Sequence, residues 1–361
     1  MAESTSITGA GIQDVARAAR VSPSTVSRVL NHTASGVAIS PATVERVRAA
    51  AEKLRYRPNA SARSLRTAKT QTVGVIVRDL TAPYSAEFLR VIYATCRERG
   101  YHVLVGNAEQ SAEEGWALGD ILSPDRVDGI LLQGDVLPPS ISDEEMDAFV
   151  REHRHVVGVG CPPSLAGEVS IIVDNALGVT LALDHLFDQG HRSIAYVGAT
   201  EAPQSWEDAL RWKAFSHYMA THGLPWGSEY AAVIRGNSLA AAHDALHHVL
   251  GAPEPPTAAF ASNDLSALLL LKVALLSGLR VPDDLSLIGF DDITYAALST
   301  PGLTTVRQPI EDIGRYAAGA LLDRITGVEP TSTILEGAVA PDRVLFAPTL
   351  ICRESVRPSR R

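Results

Sequence analysis

From residue 73 onward the sequence alternates short β-rich apolar runs with longer amphipathic segments, and this alternation admits few folds. The runs are Val73–Val77, His102–Val105, Gly129–Leu132, Val156–Val159, Ser193–Val197, Ala231–Ile234, Ala258–Ala261 and Leu285–Ile288. Helical periodicity fits between them, over Tyr84–Gly100, Leu177–Gln189, Ser205–His222, Leu239–Leu250, Asp264–Gly278 and Ile310–Gly327. Near-continuous apolar strands separated by helices read as parallel sheets covered on both faces. About 290 residues of this pattern exceed one small sheet, so two doubly wound parallel-sheet lobes are expected. Ligands of such sheets bind beyond the carboxyl ends of the strands, and two facing lobes place a pocket in the cleft between them.

The head of the chain is of another kind. Residues 1–70 hold 11 Lys/Arg against four Asp/Glu, a charge of +7, while the remainder holds 21 against 37, or −16. The net charge of −9 argues against nucleic acid, but its distribution reverses that reading. A basic head on an acidic body predicts a small polyanion-binding domain. Helix punctuation supports it. Gln13–Ala19 is helical in pattern and Arg20–Val21 turns the chain. Ser22-Pro23 then pairs an N-cap with proline at the first helical position, and Ser40-Pro41 repeats that start before Thr43–Leu54. Two short helices joined by a tight turn and braced by a third predict an all-α helix-turn-helix head. Its second helix would enter the major groove with Pro23, Ser24, Thr25, Ser27 and Arg28, flanked by Ser22 and Asn31. Arg28 can bond a guanine edge bidentately, whereas Pro23 offers only apolar contact. The basic stretch Arg57–Thr67 is too short for a stable isolated helix. As a linker that folds on DNA it would place Asn59, Ala62 and Arg66 near the duplex and Leu65 as a minor-groove wedge.

The stretches IQDVARAARVSPSTVSRVLN and RYRPNASARSLRTAKTQTVGVIV closely resemble the lactose/galactose-repressor (LacI/GalR) family of bacterial transcription regulators. The resemblance continues through VDNALGVTLALDHLFDQGHRSIAYVG, AAFASNDLSALLLLKVALLSGLRVPDDLSLIGFDDI and LTTVRQPIEDIG, nearly the whole chain. It implies a body of periplasmic-binding-protein type whose chain crosses between the lobes three times. The expected organisation is a head over 1–58, a hinge over 59–70 and an effector-binding and dimerisation body over 71–361. The first lobe would hold about 71–172 and 309–331, the second about 173–308 and 332–361.

Ligand residues follow from strand ends and from the resemblance. Asp291 and Asn263 each follow a strand and offer acceptors, with Asp264 a candidate N-cap of the next helix. The resemblance adds Arg211 and Gln308, and Pro83, Tyr84 and Ser85 after the first strand. Phe260 could stack on a ligand, although a strand Phe is more often core. Asp174-Asn175 resembles a family pair near the mouth of the cleft. The family often carries an acid after the fourth strand; here that point reads Val159-Gly160-Cys161, which removes an acceptor. Gly11 and the long loop His32–Ala38 are further departures.

Other classes fit less well. Gly158-Val159-Gly160 runs into Cys161-Pro162-Pro163, where prolines remove the N–H donors a pyrophosphate needs. The chain has no phosphate-loop motif and no G-x-S-x-G elbow. His243 and His247 have the spacing of a zinc pair but no evident further ligand. No catalytic residue, metal or cofactor is assigned. Three scattered cysteines, no apolar run beyond Leu265–Leu271 and no signal-like start together suggest a cytoplasmic protein without membrane contact. A solute-binding protein of the same body fold would want a leader and no basic head. The expectation is therefore a sequence-specific DNA-binding regulator, a repressor rather than an activator. It would act as a homodimer on palindromic operator DNA, under a sugar-like or polyol effector. The absence of C-terminal leucine heptads argues against a coiled-coil tetramer.

Overall fold

The structure, a computed structural model, describes residues 11–30, 39–56, 69–109, 111–198, 205–328, 338–340 (as backbone) and 343–359. The chain forms two compact units, Met1–Thr70 and Gln71–Arg361.

In the first unit, α1 spans Ile12–Ala19, α2 Pro23–Leu30 and α3 Pro41–Lys53. Arg20 closes α1 in the left-handed region (φ 54°), and Val21 N–H returns to Ala16 O. That reversal lets Ser22 start α2 at once, with its hydroxyl accepting from Thr25 N–H. Ser40 caps α3 in the same way. Val15, Ala16, Ala19, Val26, Val29, Val47, Ala50 and Ala51 form the shared core.

The second unit holds two sheets. Strands β1 (Thr72–Val77), β2 (His102–Asn107), β3 (Ile130–Gln133), β4 (Val156–Val159) and β5 (Val169–Val173) build the first. Strands β6 (Ile194–Val197), β7 (Ala231–Ala232), β8 (Ala258–Ala261), β9 (Ser286–Asp291) and β10 (Thr304–Arg307) build the second. The chain returns through β11 (Ala338–Ala340) and β12 (Arg343–Phe346) to the first sheet and ends in β13 (Thr349–Ile351) on the second. The strand orders are β11-β12-β5-β4-β3-β1-β2 and β13-β10-β9-β8-β6-β7. All pairings are parallel except β11 with β12 and β10 with β13.

Both faces of each sheet are covered. Val73, Val75 and Leu131 meet α4 (Pro83–Glu98) through Phe88 and Ile92 on one side of the first sheet. Ile76, Ile130 and Leu132 meet α5 (Ala112–Ile121) and α6 (Asp143–His153), including Met146 and Phe149, on the other. In the second lobe α7 (Asn175–Asp188) and α8 (Trp206–Thr221) cover one face, and α9 (Leu239–Leu250) and α10 (Asp264–Leu276) cover the other. The short α11 (Thr294–Leu298) follows β9, and α12 (Ile310–Thr326) returns to the first core through Ile313, Ala317 and Leu321.

The lobes are connected after β5, β10 and β12. The expected assignment of 332–361 to the second lobe is corrected here. β12 pairs in parallel with β5, Val344 beside Ile171 and Phe346 beside Val173, and adds both side chains to the first core. Only the segment from β13 onward lies with the second sheet.

Candidate effector cleft and DNA-reading helix

The cleft opens at the carboxyl ends of β1, β3, β8 and β9. From the first lobe come Pro83, Tyr84 and Ser85 at the start of α4, with Gln133 ending β3; Ser85 Oγ donates to Gln133 Oε1 at 3.0 Å. From the second lobe come Arg211 on α8, Asn263 after β8, Asp291 ending β9, and Gln308 after β10. Pro83, Tyr84, Ser85, Arg211, Asn263, Asp291 and Gln308, all expected from sequence, therefore share one cavity, and Gln133 joins them.

Arg211 sits at its floor. Its guanidinium lies 3.9 Å over the Phe290 ring. Nε donates to Asn175 Oδ1 at 2.7 Å, and Nη1 donates to Ser262 O at 2.6 Å. Glu207 and Asp291 stand on either side, each 3.9 Å from a guanidinium nitrogen. Gln308 Nε2 donates to Asp291 Oδ1 at 2.6 Å, while Gln308 Oε1 is buried without a protein partner. Burial pushes the Asp291 carboxyl up to about 7, against the pull of Arg211 and the Gln308 bond. Glu207 is raised by burial too, with Arg211 and an Asn175 hydrogen bond opposing. The Tyr84 phenol moves up, through burial first and then the charges of Glu207 and Asp291.

Asp291 holds its place in a sparsely populated conformation, φ 117°, followed by Asp292 at 56°. Surrounding bonds fix this turn. Asp264 Oδ2 accepts from Ile293 N–H at 2.9 Å and its Oδ1 from Thr305 Oγ1 at 2.5 Å. Asp292 accepts from Arg307 and Arg353, each at 2.6 Å.

Three expectations change. Phe260 is fully buried against Tyr196 and Phe215 and does not line the cleft, because β8 turns this residue toward the α7–α8 layer. Asn263, not Asp264, caps α10, accepting from Ser266 N–H, and Asp264 locks the β9 turn instead. Asn175 is buried under Arg211, while Asp174 caps α7. Sequence reasoning missed Gln133, Glu207 and Asp208, which also line the cleft. The signal was available: Glu207 stands four residues before Arg211, on the same helix face. Cys161 is buried and its thiol is pushed up by that burial, so it is no reactive thiolate.

In the first unit, Ser22, Pro23 and Ser24 are exposed at the start of α2, with Thr25, Ser27 and Arg28 half-buried behind them. Arg28 Nε donates to Ser24 O at 3.4 Å, which lays the guanidinium along the helix toward its N-terminal end. The expected DNA residues Asn31, Asn59, Ala62, Leu65 and Arg66 lie outside the described residues.

Residues 11–59 match the bacterial regulatory proteins, lacI family, and residues 183–356 match a periplasmic binding protein-like domain. The chain is 34% identical to the HTH-type transcriptional repressor CytR of Escherichia coli (strain K12), over 89% of this chain and 91% of that protein. It is 33% identical to the HTH-type transcriptional repressor PurR of Erwinia tasmaniensis, over 96% of this chain and 97% of that one. Among solved structures, a lac repressor dimer bound to operator and the anti-inducer ONPF aligns with a TM-score of 0.79 at 26% identity, covering 97% of this chain and 100% of that one. A complex of the transcriptional regulator CelR with cellobiose aligns at 0.66 and 28% identity, covering 96% and 100%. The likeness runs through head and body alike, and the chain belongs to the lacI family of bacterial regulatory proteins.

Proposed function

We propose that this protein is a cytoplasmic transcriptional repressor that binds a near-palindromic operator as a homodimer and is released or engaged by a sugar-like effector in the cleft. The observation that carries the reading is the Arg211 cluster. An arginine between two carboxylates, beside a buried and unpartnered Gln308 Oε1, suits a molecule whose hydroxyls both donate and accept.

Ligand residues come from both lobes, so a bound molecule bridges them. It acts only by favouring one placement of the lobes over another. The lobes also touch directly: Glu87 accepts from Thr294 N–H and Oγ1, and Asp135 accepts from Trp206 N–H. A shift between placements would exchange these bonds. Through the segment 59–70 it would change how Leu65, Asn59, Ala62 and Arg66 meet DNA.

Homodimer formation is supported by exposed apolar side chains on both lobes. The edge strand β2 exposes Leu104 and Val105, and α4 exposes Tyr93. The second lobe presents Leu275, Leu276, Tyr295 and Leu298, the last 71% exposed. No helix among the described residues is long and apolar enough to cross a membrane.

Selection of bound DNA from random oligonucleotides tests this reading. A two-fold dimer with one head per subunit selects an inverted repeat. Recovery of no preferred sequence, or of an asymmetric one, counts against it.

A further inference from the structure

Glu207 and Gly160 meet across the cleft. Gly160 turns the chain at the end of β4 with φ 66°, and Glu207 is the second residue of α8 on the other lobe. A β-carbon at Gly160 would lie 3.1 Å from Glu207 Oε2 and 3.3 Å from Cδ, so the carboxylate rests on bare backbone there. The contact is held from several directions. The N–H of the adjacent Trp206 donates to Asp135 of the first lobe. Arg211 Nη2 stands 3.9 Å from the Glu207 carboxylate.

No acid of the first lobe occupies the end of β4. The next residue, Cys161, is buried and turns its thiol toward Leu165 O. The charge lining the cleft is lopsided. Asp79, Glu207, Asp208 and Asp291 face it against Arg78 and Arg211. Arg211 already donates to Asn175 and Ser262. Gln308 Oε1, in a side chain left 4% exposed, adds an acceptor with no protein donor.

We propose that Glu207 is a specificity-determining residue: reaching across to Gly160, it supplies from the second lobe the carboxylate that the end of β4 lacks, accepts effector hydroxyls there, and rejects effectors bearing phosphate or carboxylate. This rests on the reading that the cleft binds the effector. An anionic group near Glu207 meets like charge in a partly desolvated site, while a neutral polyol meets acceptors it can satisfy. Glycine suits position 160, where the backbone is left-handed and a β-carbon would press on the acid at 3.1 Å.

Calorimetry with D-glucose, D-galactose, D-ribose and the phosphate ester of each tests the proposal on the full-length protein, Glu207→Gln and Glu207→Asp. At least one unphosphorylated sugar is expected to bind, with its ester at least about 100-fold weaker. Glu207→Gln, nearly isosteric, is expected to weaken the sugar about tenfold and to narrow the gap to the ester. Glu207→Asp keeps the charge but falls short of Gly160, so it weakens the sugar while the ester stays rejected. Circular dichroism melts of the variants establish that they fold. The proposal is overturned if no unphosphorylated sugar binds, if an ester binds as tightly as its sugar, or if Glu207→Gln leaves the gap unchanged. An ester that binds as tightly as its sugar and shifts operator affinity would overturn Glu207's role yet leave the effector reading standing. A sugar that binds with the predicted selectivity but never shifts operator affinity would do the reverse.

Discussion

The Arg211 guanidinium and the Asp291 carboxylate stand 3.9 Å apart at the floor of the cleft, opposite charges that do not close into a direct bond. Third parties hold them there. Arg211 Nη1 is drawn 2.6 Å from Ser262 O, and Asp291 Oδ1 takes the Gln308 amide at 2.6 Å. A ligand hydroxyl placed between them finds a donor on one side and an acceptor on the other.

The protonation of Asp291 gives a pH dependence. Its folded-state pKa lies at about 7, above the ordinary carboxylate value, so it takes up a proton as the pH falls through that point. An effector hydroxyl bonds the ionised Asp291 more strongly than the neutral acid. Effector affinity is expected to rise with pH, by up to about tenfold per unit below pH 7, and to level off above it. The stability of the effector-free protein moves oppositely. Between about pH 4 and 7 the folded state holds a proton that the unfolded chain has lost, so this contribution falls as pH rises across the window. Calorimetric affinities over a pH series check the first effect. Asp291→Asn is expected to lose the step, and matching profiles in the two proteins would contradict it.

Asp264 governs the turn that presents Asp291. It is fully buried and accepts from Thr305 Oγ1 and Ile293 N–H. Asp264→Ala orphans both donors, each at a cost of about 1–3 kcal/mol. Urea unfolding followed by circular dichroism is expected to show that loss, together with weakened effector binding. Gly289→Ala disturbs the same lock from the sheet side, because a β-carbon there would collide with Asp264 Oδ1. Parent-like stability in Asp264→Ala would remove the lock from the account.

Arg28 carries the base-reading prediction. Arg28→Ala is expected to lose about 1–3 kcal/mol of operator affinity and to relax base choice at one position in each half-site. Titration on single-base operator variants checks it. An equal loss on every variant would make Arg28 a phosphate contact instead.

Much of this architecture was legible because its strands are buried on both faces. Val156–Val159 and Ala258–Ala261 read as apolar runs and are strands with those bounds. β10 was not read, since Thr304 and Thr305 look polar in sequence. Their hydroxyls are paired inside the fold, Thr305 with Asp264 and Thr304 with Arg353 N–H. β12 went unread for another reason: only its pairing with β5, far away in the chain, places it in the first lobe. Strand ends pointed to Asp291 and Asn263, whereas Glu207 sits at a helix start, where only its four-residue spacing to Arg211 marks it. Phe260 shows the opposite failure. Chemistry that suits stacking was present, and the strand's own alternation turned it into the core.

The central claim is that a small molecule in the Arg211–Asp291 cleft controls operator binding. The direct measurement is operator titration by fluorescence anisotropy, at rising concentrations of a sugar that binds the parent, on the parent and on Asp291→Ala. Saturating sugar is expected to change the parent's operator affinity by about tenfold or more, and Asp291→Ala to need at least about tenfold more sugar for the same change. An operator affinity that stays constant from zero to saturating sugar in the parent would contradict it.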